Sequence, residues 1–282
     1  MTHRKKMTLL GGDKRLTFLA NILCQRGSEI TVYGVEPEGL SSWITQAENL
    51  EQAVETAEIL ILPVPVTRDG EHIVSAHRQQ ELNLEKLLTL LRKEQLVFGG
   101  NFPNQVREKI LQSYDFMEME EVALRNGIAT AEGAIGEAIF CSQENLHGSG
   151  CLVLGYGRCG KILADRLKGL GARVTVAARN REKLAQAQVA GHDILLLQEM
   201  SPYLHRYRFL FNTIPAPVLG RELLEQLSQR TTILDIASAP GGVDFAACEE
   251  LGISAKLCPG LPGKYAPFSS AEILAEAVLS RL

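Results

Sequence analysis

Residues 151–180 read CLVLGYGRCGKILADRLKGLGARVTVAARN, and this stretch decides the fold. An apolar run over 151–154 ends in Gly155-Tyr156-Gly157-Arg158-Cys159-Gly160. An amphipathic helical pattern follows, then a second apolar run over 173–178. Strand, glycine turn, helix, strand is the first half of a dinucleotide-binding unit. Gly155 makes the tight turn, Gly157 lets the backbone approach a pyrophosphate, and Gly160 lets the helix sit close to the strand. The first helical turn offers unpaired N–H groups to the phosphates. The expected ligand is a nicotinamide dinucleotide.

The end of the second strand refines that expectation. An acidic residue there binds the ribose hydroxyls of NAD and repels a 2′-phosphate. This chain has Arg179, Asn180 and Arg181 instead. A guanidinium binds a phosphate bidentately, so NADP is favoured over NAD. The competing reading is a solvated arginine that merely follows a strand.

Outward from this motif, 282 residues suggest two domains. The formal net charge of −4 gives no basic field for nucleic acid. Six scattered cysteines lack CxxC spacing and read as reduced thiols of a cytoplasmic protein. No apolar segment approaches the length of a membrane span, and the N-terminal apolar stretch is too short for a signal peptide.

The N-terminal half repeats the grammar. A strand over 7–10 meets Gly11-Gly12-Asp13, a helix over 15–26 ends at Gly27, and a second strand covers 29–33. The turn lacks the third glycine, which leaves this half to hold substrate. Further alternation follows: a helix over 50–57, a strand over 58–62 ending in Pro63-Val64-Pro65, a helix over 82–93 and a strand over 96–98. A helix with Thr130 as its cap is expected to join the halves. The expected fold is therefore α/β, with two doubly wound parallel-sheet, Rossmann-like domains joined by a long helix. Residues 1–145 form the substrate domain and 146–267 the NADP domain, with the C-terminal helix, 268–282, packing back on the first.

Ligands of such sheets bind outside the carboxyl ends of the strands. In the second domain those ends add Asn212, Thr213 and Pro215, and then Ala237 and Ser238, to the cofactor candidates. Asn212 and Thr213 suit a nicotinamide ribose or carboxamide; an Asx turn is the equal alternative. The substrate candidates are Gly12, Asp13, Arg15, Pro63, Pro65, Arg125, Asn126, Thr130, Glu132 and Lys264. Several are cationic or sit at an expected helix start, which suits a small acidic ligand. Among His3, His72, His77, His147, His192 and His205, His147 at the domain boundary is the candidate general base. The strand end Asp235-Ile-Ala-Ser-Ala-Pro240 carries no arginine, and no histidine follows His205. That argues against oxidation of a hydroxyl group, where a histidine moves the proton.

Together these segments resemble the family of dipicolinate synthase A subunits from spore-forming bacteria. The resemblance runs over nearly the whole chain. It is carried by Gly11-Gly-Asp13 with Arg15, Leu62-Pro-Val-Pro65, Arg125-Asn-Gly-Ile-Ala-Thr-Ala-Glu-Gly133 and His147-Gly-Ser149. It continues through Val153-Leu-Gly-Tyr-Gly-Arg-Cys-Gly160, Ala177-Ala-Arg179, Asn212-Thr-Ile-Pro215, Asp235-Ile-Ala-Ser-Ala-Pro-Gly-Gly242 and Gly260-Leu-Pro-Gly-Lys264. Cys159, where the family is expected to prefer Thr, departs from the pattern without touching dinucleotide binding.

The resemblance implies NADP-linked oxidation of dihydrodipicolinate, or of its hydrated tetrahydro precursor from the lysine pathway, to dipicolinate. It also implies a partner, the flavoprotein-like B subunit of dipicolinate synthase, a homo- or hetero-oligomer, and work in the mother-cell cytoplasm during sporulation. Ring aromatisation supplies driving force, so clamping the carboxylates and aiming the hydride are the main tasks. Two other readings stay open: a cofactor-binding regulatory or scaffold subunit, and a related two-domain amino-acid dehydrogenase.

Overall fold

The computed structural model describes residues 4–77 and 82–282. His3, one of the histidines considered above, lies outside the described residues. The chain forms two compact units, Met1–Arg125 with Ala266–Leu282, and Asn126–Tyr265.

In the first unit the order is β1 (Lys6–Leu10), α1 (Lys14–Gln25), β2 (Glu29–Tyr33), β3 (Thr45–Gln46), α2 (Leu50–Glu55), β4 (Ile59–Ile61), α3 (Leu84–Leu90), β5 (Leu96–Gly99), α4 (Asn104–Lys109) and β6 (Gln112–Asp115). A long helix, α5 (Glu120–Cys141), spans the boundary. The second unit has β7 (Gly150–Leu154), α6 (Arg158–Gly169), β8 (Arg173–Ala178), α7 (Arg181–Val189), β9 (Asp193–Leu196), β10 (Phe209–Asn212), α8 (Arg221–Leu224), β11 (Thr232–Asp235), α9 (Phe245–Leu251), β12 (Ser254–Leu257) and α10 (Leu261–Tyr265). The last helix, α11 (Pro267–Leu279), belongs to the first unit.

Each unit holds one six-stranded sheet, ordered β3-β2-β1-β4-β5-β6 and β9-β8-β7-β10-β11-β12. Every pairing between these strands is parallel. Both orders read 3-2-1-4-5-6, the arrangement of dinucleotide-binding sheets, so the expected doubly wound class is what forms. Strand side chains alternate between faces, and the cores follow that alternation. Met7, Leu9, Ile30, Val32, Ile59, Ile61 and Phe98 face one layer of the first unit, with α1 and α11. Leu10, Leu60, Leu62 and Val97 face the other, with α2, α3 and α4. In the second sheet, Cys151, Val153, Val174, Val176, Phe209 and Phe211 share a core with α5 and α6. Leu152, Leu154, Leu210 and Ile233 pack with α9 on the opposite face.

Two expectations about the middle of the chain are corrected. Helix α5 starts at Glu120, not at Thr130, because residues 120–129 continue the helix with Val122 and Ala123 buried. The unit boundary falls after Arg125, not after residue 145. Ala131, Ala134 and Ala138 of α5 sit in the second unit's core, which draws most of the helix into that unit. Strands β3, β6 and β9 are additions to the expected elements, and all three are edge strands. An edge strand has one neighbour and little buried face, so its sequence carries a weak pattern.

Candidate functional site

In the second unit the carboxyl ends of β7 and β10 flank the point where strand order reverses. The glycine turn occupies it. Gly155 has φ +93, a left-handed conformation that glycine adopts freely, and its N–H donates to the Ala177 carbonyl at 2.8 Å. A Cβ there would come within 2.5 Å of Thr213 Oγ1. A Cβ on Gly160 would collide with the Gly155 carbonyl. On Gly157 it would meet nothing within 4 Å. The first and third glycines thus close the turn against protein, while the second faces open space at the start of α6. That is the division of labour a pyrophosphate requires. Arg158 opens α6. The Tyr156 ring is buried against Lys161 and His192, so this residue has its backbone to offer a ligand. Burial raises the Cys159 thiol, which leaves it an uncharged small side chain in the turn.

Arg179, exposed at the end of β8, borders a cavity of about 240 Å³ lined also by Leu197, Met200, Ile214, Pro217 and Leu223. An apolar cleft with one guanidinium at its rim suits an adenine and a ribose phosphate. The residues present therefore fit a nicotinamide dinucleotide. Asn180 has a different role: its Oδ1 accepts from Glu182 N at 2.7 Å and caps α7.

For Asn212 the Asx-turn alternative is what forms. Its side chain is fully buried. Nδ2 donates to Asp235 Oδ1 at 2.9 Å and to the Ile214 carbonyl, and Oδ1 accepts from Ile214 N at 3.0 Å. Its amide shapes the loop through these bonds. Thr213 Oγ1 donates to the Leu154 carbonyl at 2.8 Å and packs on Gly155. Pro215 is exposed on the same loop. Asp235, also fully buried, accepts from the N–H groups of Ala237 and Gly242 and so holds the Ala237-Ser238 loop, where Ser238 is exposed.

His147 is not brought to the glycine turn. It precedes β7 and lies against Gly171, just ahead of β8. That is the amino edge of the sheet, about 16 Å from the glycine turn along a five-residue strand. His192 and His205 likewise precede β9 and β10. His192 is buried and paired with Asp165 at 2.9 Å.

Lys264 is ion-paired to Glu137, which also takes Lys256 Nζ at 2.6 Å. Hydrogen bonds from these two lysines hold the buried Glu137 carboxyl down at about 2. Thr130 lies inside α5, where its hydroxyl donates to the Asn126 carbonyl at 3.0 Å, so no helix start is available there to a carboxylate. Glu132 is an exposed residue of the same helix. The Asn126 Oδ1 atom is buried without a partner among the described residues. Arg125 pairs with Glu276 and, at 3.8 Å, with Glu121.

In the first unit the equivalent turn is closed. Gly12 N donates to the Val74 carbonyl at 2.6 Å and Ala76 N to the Gly12 carbonyl at 2.8 Å. A Cβ on Gly11 would lie 2.5 Å from Val74 O. The connection after β4 therefore runs back across the place a pyrophosphate would take. Asp13 caps α1 and binds Arg15, whose Nη2 also donates to the Val64 carbonyl at 2.7 Å. Arg15 thereby joins the Gly12-Asp13 turn to the Pro63-Val64-Pro65 loop, which gathers these five substrate candidates at one edge of the sheet. Sequence reading missed the covering segment. Its signal is the long connection between β4 and α3, with the β-branched pair Ile73-Val74 inside it.

Two family models match the chain, one within each unit. Residues 6–116 match the model of the N-terminal domain of the dipicolinate synthase A subunit, and residues 137–249 that of shikimate / quinate 5-dehydrogenase. The dipicolinate synthase A subunit of Bacillus subtilis is 34% identical over 98% of this chain and 95% of that relative. The crystal structure of the dipicolinate synthase A subunit from Bacillus halodurans superposes with a TM-score of 0.90 at 29% identity, over 98% of this chain and 97% of that one. The corresponding crystal structure from Bacillus subtilis gives 0.87 at 30% identity, over 100% and 96%.

Proposed function

The chain belongs to the family of dipicolinate synthase A subunits, and from that premise we propose that it oxidises dihydrodipicolinate, or its hydrated tetrahydro precursor, to dipicolinate with NADP as hydride acceptor. The observation that carries the proposal is the family match over 98% of the chain, joined to a dehydrogenase-type domain with an open glycine turn.

For dihydrodipicolinate the balance is simple. One ring carbon gives up a hydride, a neighbouring atom gives up a proton, and the ring becomes aromatic. NADP, when bound, supplies the electron-pair acceptor. The Gly157 approach and the N–H groups at the start of α6 hold its pyrophosphate, and Arg179 holds its 2′-phosphate. Arg15 holds a substrate carboxylate: it spends Nε and Nη2 on Asp13 and Val64 and, among the described residues, leaves its Nη1 amino group for a ligand. Aromatisation drives the proton loss, so a strong general base is not needed. The family name also supports a partner, the B subunit, and we place the reaction in the cytoplasm of the sporulating cell.

The test is direct. The purified chain with NADP and freshly made dihydrodipicolinate is expected to form NADPH and dipicolinate in equal amounts. Activity that requires the B subunit would instead favour a cofactor-binding regulatory role for this chain. No turnover with or without that partner would sink the proposed reaction.

A further inference from the structure

We propose that Asn101 is a specificity-determining residue, whose side-chain amide donates a hydrogen bond to a substrate carboxylate beside the Arg15 guanidinium. The proposal rests on the dicarboxylate reading above.

Strand β5 ends at Gly99 and is followed by Gly100 and Asn101, at the carboxyl edge of the first sheet. Asn101 has φ 54 and, among the described residues, is the one non-glycine with a positive φ. Asparagine accepts this conformation when its short side chain bonds locally to backbone. Here it makes no such bond among the described residues. The backbone around it is held by another residue, the buried Asp115. Asp115 Oδ1 accepts from Asn101 N at 3.0 Å and Met117 N at 2.9 Å, and Oδ2 accepts from Phe102 N at 2.9 Å and Arg107 Nη2 at 2.7 Å. A buried carboxylate thus fixes the left-handed residue, and the exposed Asn101 side chain is left without a structural task. Glycine would meet the backbone requirement with less strain. Strained, over-determined residues of this kind concentrate at ligand sites.

Its surroundings are those of the Arg15 clamp. Gly100 N donates to the Pro63 carbonyl at 3.1 Å, and Val66 N to the Gly100 carbonyl at 2.8 Å. Arg15 holds the Val64 carbonyl between them. Gly100 allows this closeness, since a Cβ on it would lie 2.6 Å from Val64 Cγ1. Strands β1, β4 and β5 are consecutive neighbours. The loop that Arg15 reaches therefore lies about one strand spacing, roughly 4.8 Å, from Asn101. A guanidinium bonded to one loop and a neutral amide carried by the neighbouring loop suit one carboxylate, with the cation supplying charge and the amide direction.

The test is the Asn101→Gly variant of the full chain, measured by calorimetry with dipicolinate and separately with NADP, and by thermal melting. Removing the amide while relaxing the backbone is expected to weaken dipicolinate about tenfold, the loss of a charge-assisted hydrogen bond. NADP affinity is expected to stay the same, and Tm to stay the same or rise. Asn101→Asp, which places a carboxylate against the ligand's own, is expected to weaken dipicolinate further. Unchanged dipicolinate affinity in Asn101→Gly overturns the role of Asn101 while leaving the dicarboxylate reading intact. A parent chain that binds no dipicolinate overturns both.

Discussion

The two sheets share one strand order, and each begins with a strand that runs into a glycine turn and a helix. Their turns nevertheless do opposite things. The turn at Gly155 keeps its middle glycine against open space at the start of α6. The turn at Gly11 is bonded to Val74 and Ala76, and the start of α1 already holds the carboxylate of Asp13. One unit leaves space beside its helix start; the other fills that place with its own chain and an anion of its own. Topology places both turns at a switch point, but local chain chemistry decides which one binds a dinucleotide.

The largest effects are expected from paired glycine substitutions. Gly157→Val projects a branched side chain into the space a pyrophosphate needs, from a Cβ position with no protein atom within 4 Å. NADP affinity is expected to fall at least about 100-fold, with stability within about 0.5 kcal/mol of the parent, as at other uncrowded positions. Gly11→Val is its mirror. The side chain strikes the Val74 carbonyl, and the backbone has φ +61. A loss of about 2 kcal/mol or more is expected, with NADP affinity unchanged. Fluorescence titration and denaturant unfolding of both variants measure this contrast. Equal loss of cofactor binding in the two would break it.

A smaller effect sharpens the comparison within the open unit. Arg179→Asp exchanges a phosphate-binding guanidinium for the acidic residue typical of NAD sites. NADP affinity is expected to fall about 30-fold, near the 2 kcal/mol of a charge-assisted contact. NAD affinity is expected to change less than about threefold. Parallel losses for both cofactors would leave Arg179 as a solvated strand-end residue.

The difference between the units is partly legible in the residues. The third glycine, Gly160, is present in one turn and missing from the other, and spacing alone shows that. The alternation of apolar strands with helical patterns identifies two doubly wound sheets. What stays hidden depends on long-range pairing. Nothing near Gly12 announces that Val74 will bond to it. Asn212 suits a ligand contact and an Asx turn equally in sequence, and only the bond to Asp235, distant in sequence, accompanies the turn that forms. Thr130 followed by an early Glu reads as a helix cap because capping is a local pattern, yet burial of Val122 and Ala123 extends the helix past it. His147 draws attention by its place at a boundary, and only the strand direction shows that it lies at the amino edge.

The smallest effect concerns the anion that the closed unit carries for itself. Burial alone would raise the Asp13 carboxyl, but the hydrogen bonds and charge of Arg15 outweigh it and hold the group below 3.8. A carboxyl lowered on folding stabilises the folded state above its unfolded pKa. That contribution fades as pH falls through the folded value. Asp13→Asn keeps a competent cap for α1, since Asn and Asp cap about equally well, but removes the charge facing Arg15. The Asp13 side chain is 38% exposed, so solvent screening limits the expected loss to less than about 1 kcal/mol at pH 7. Unfolding of parent and variant should differ at pH 7 and converge as pH falls below about 3.8, the ordinary value for this carboxyl. A difference that persists unchanged at low pH would mean that the asparagine disturbs the turn by shape, and that charge is not what sets the two helix starts apart.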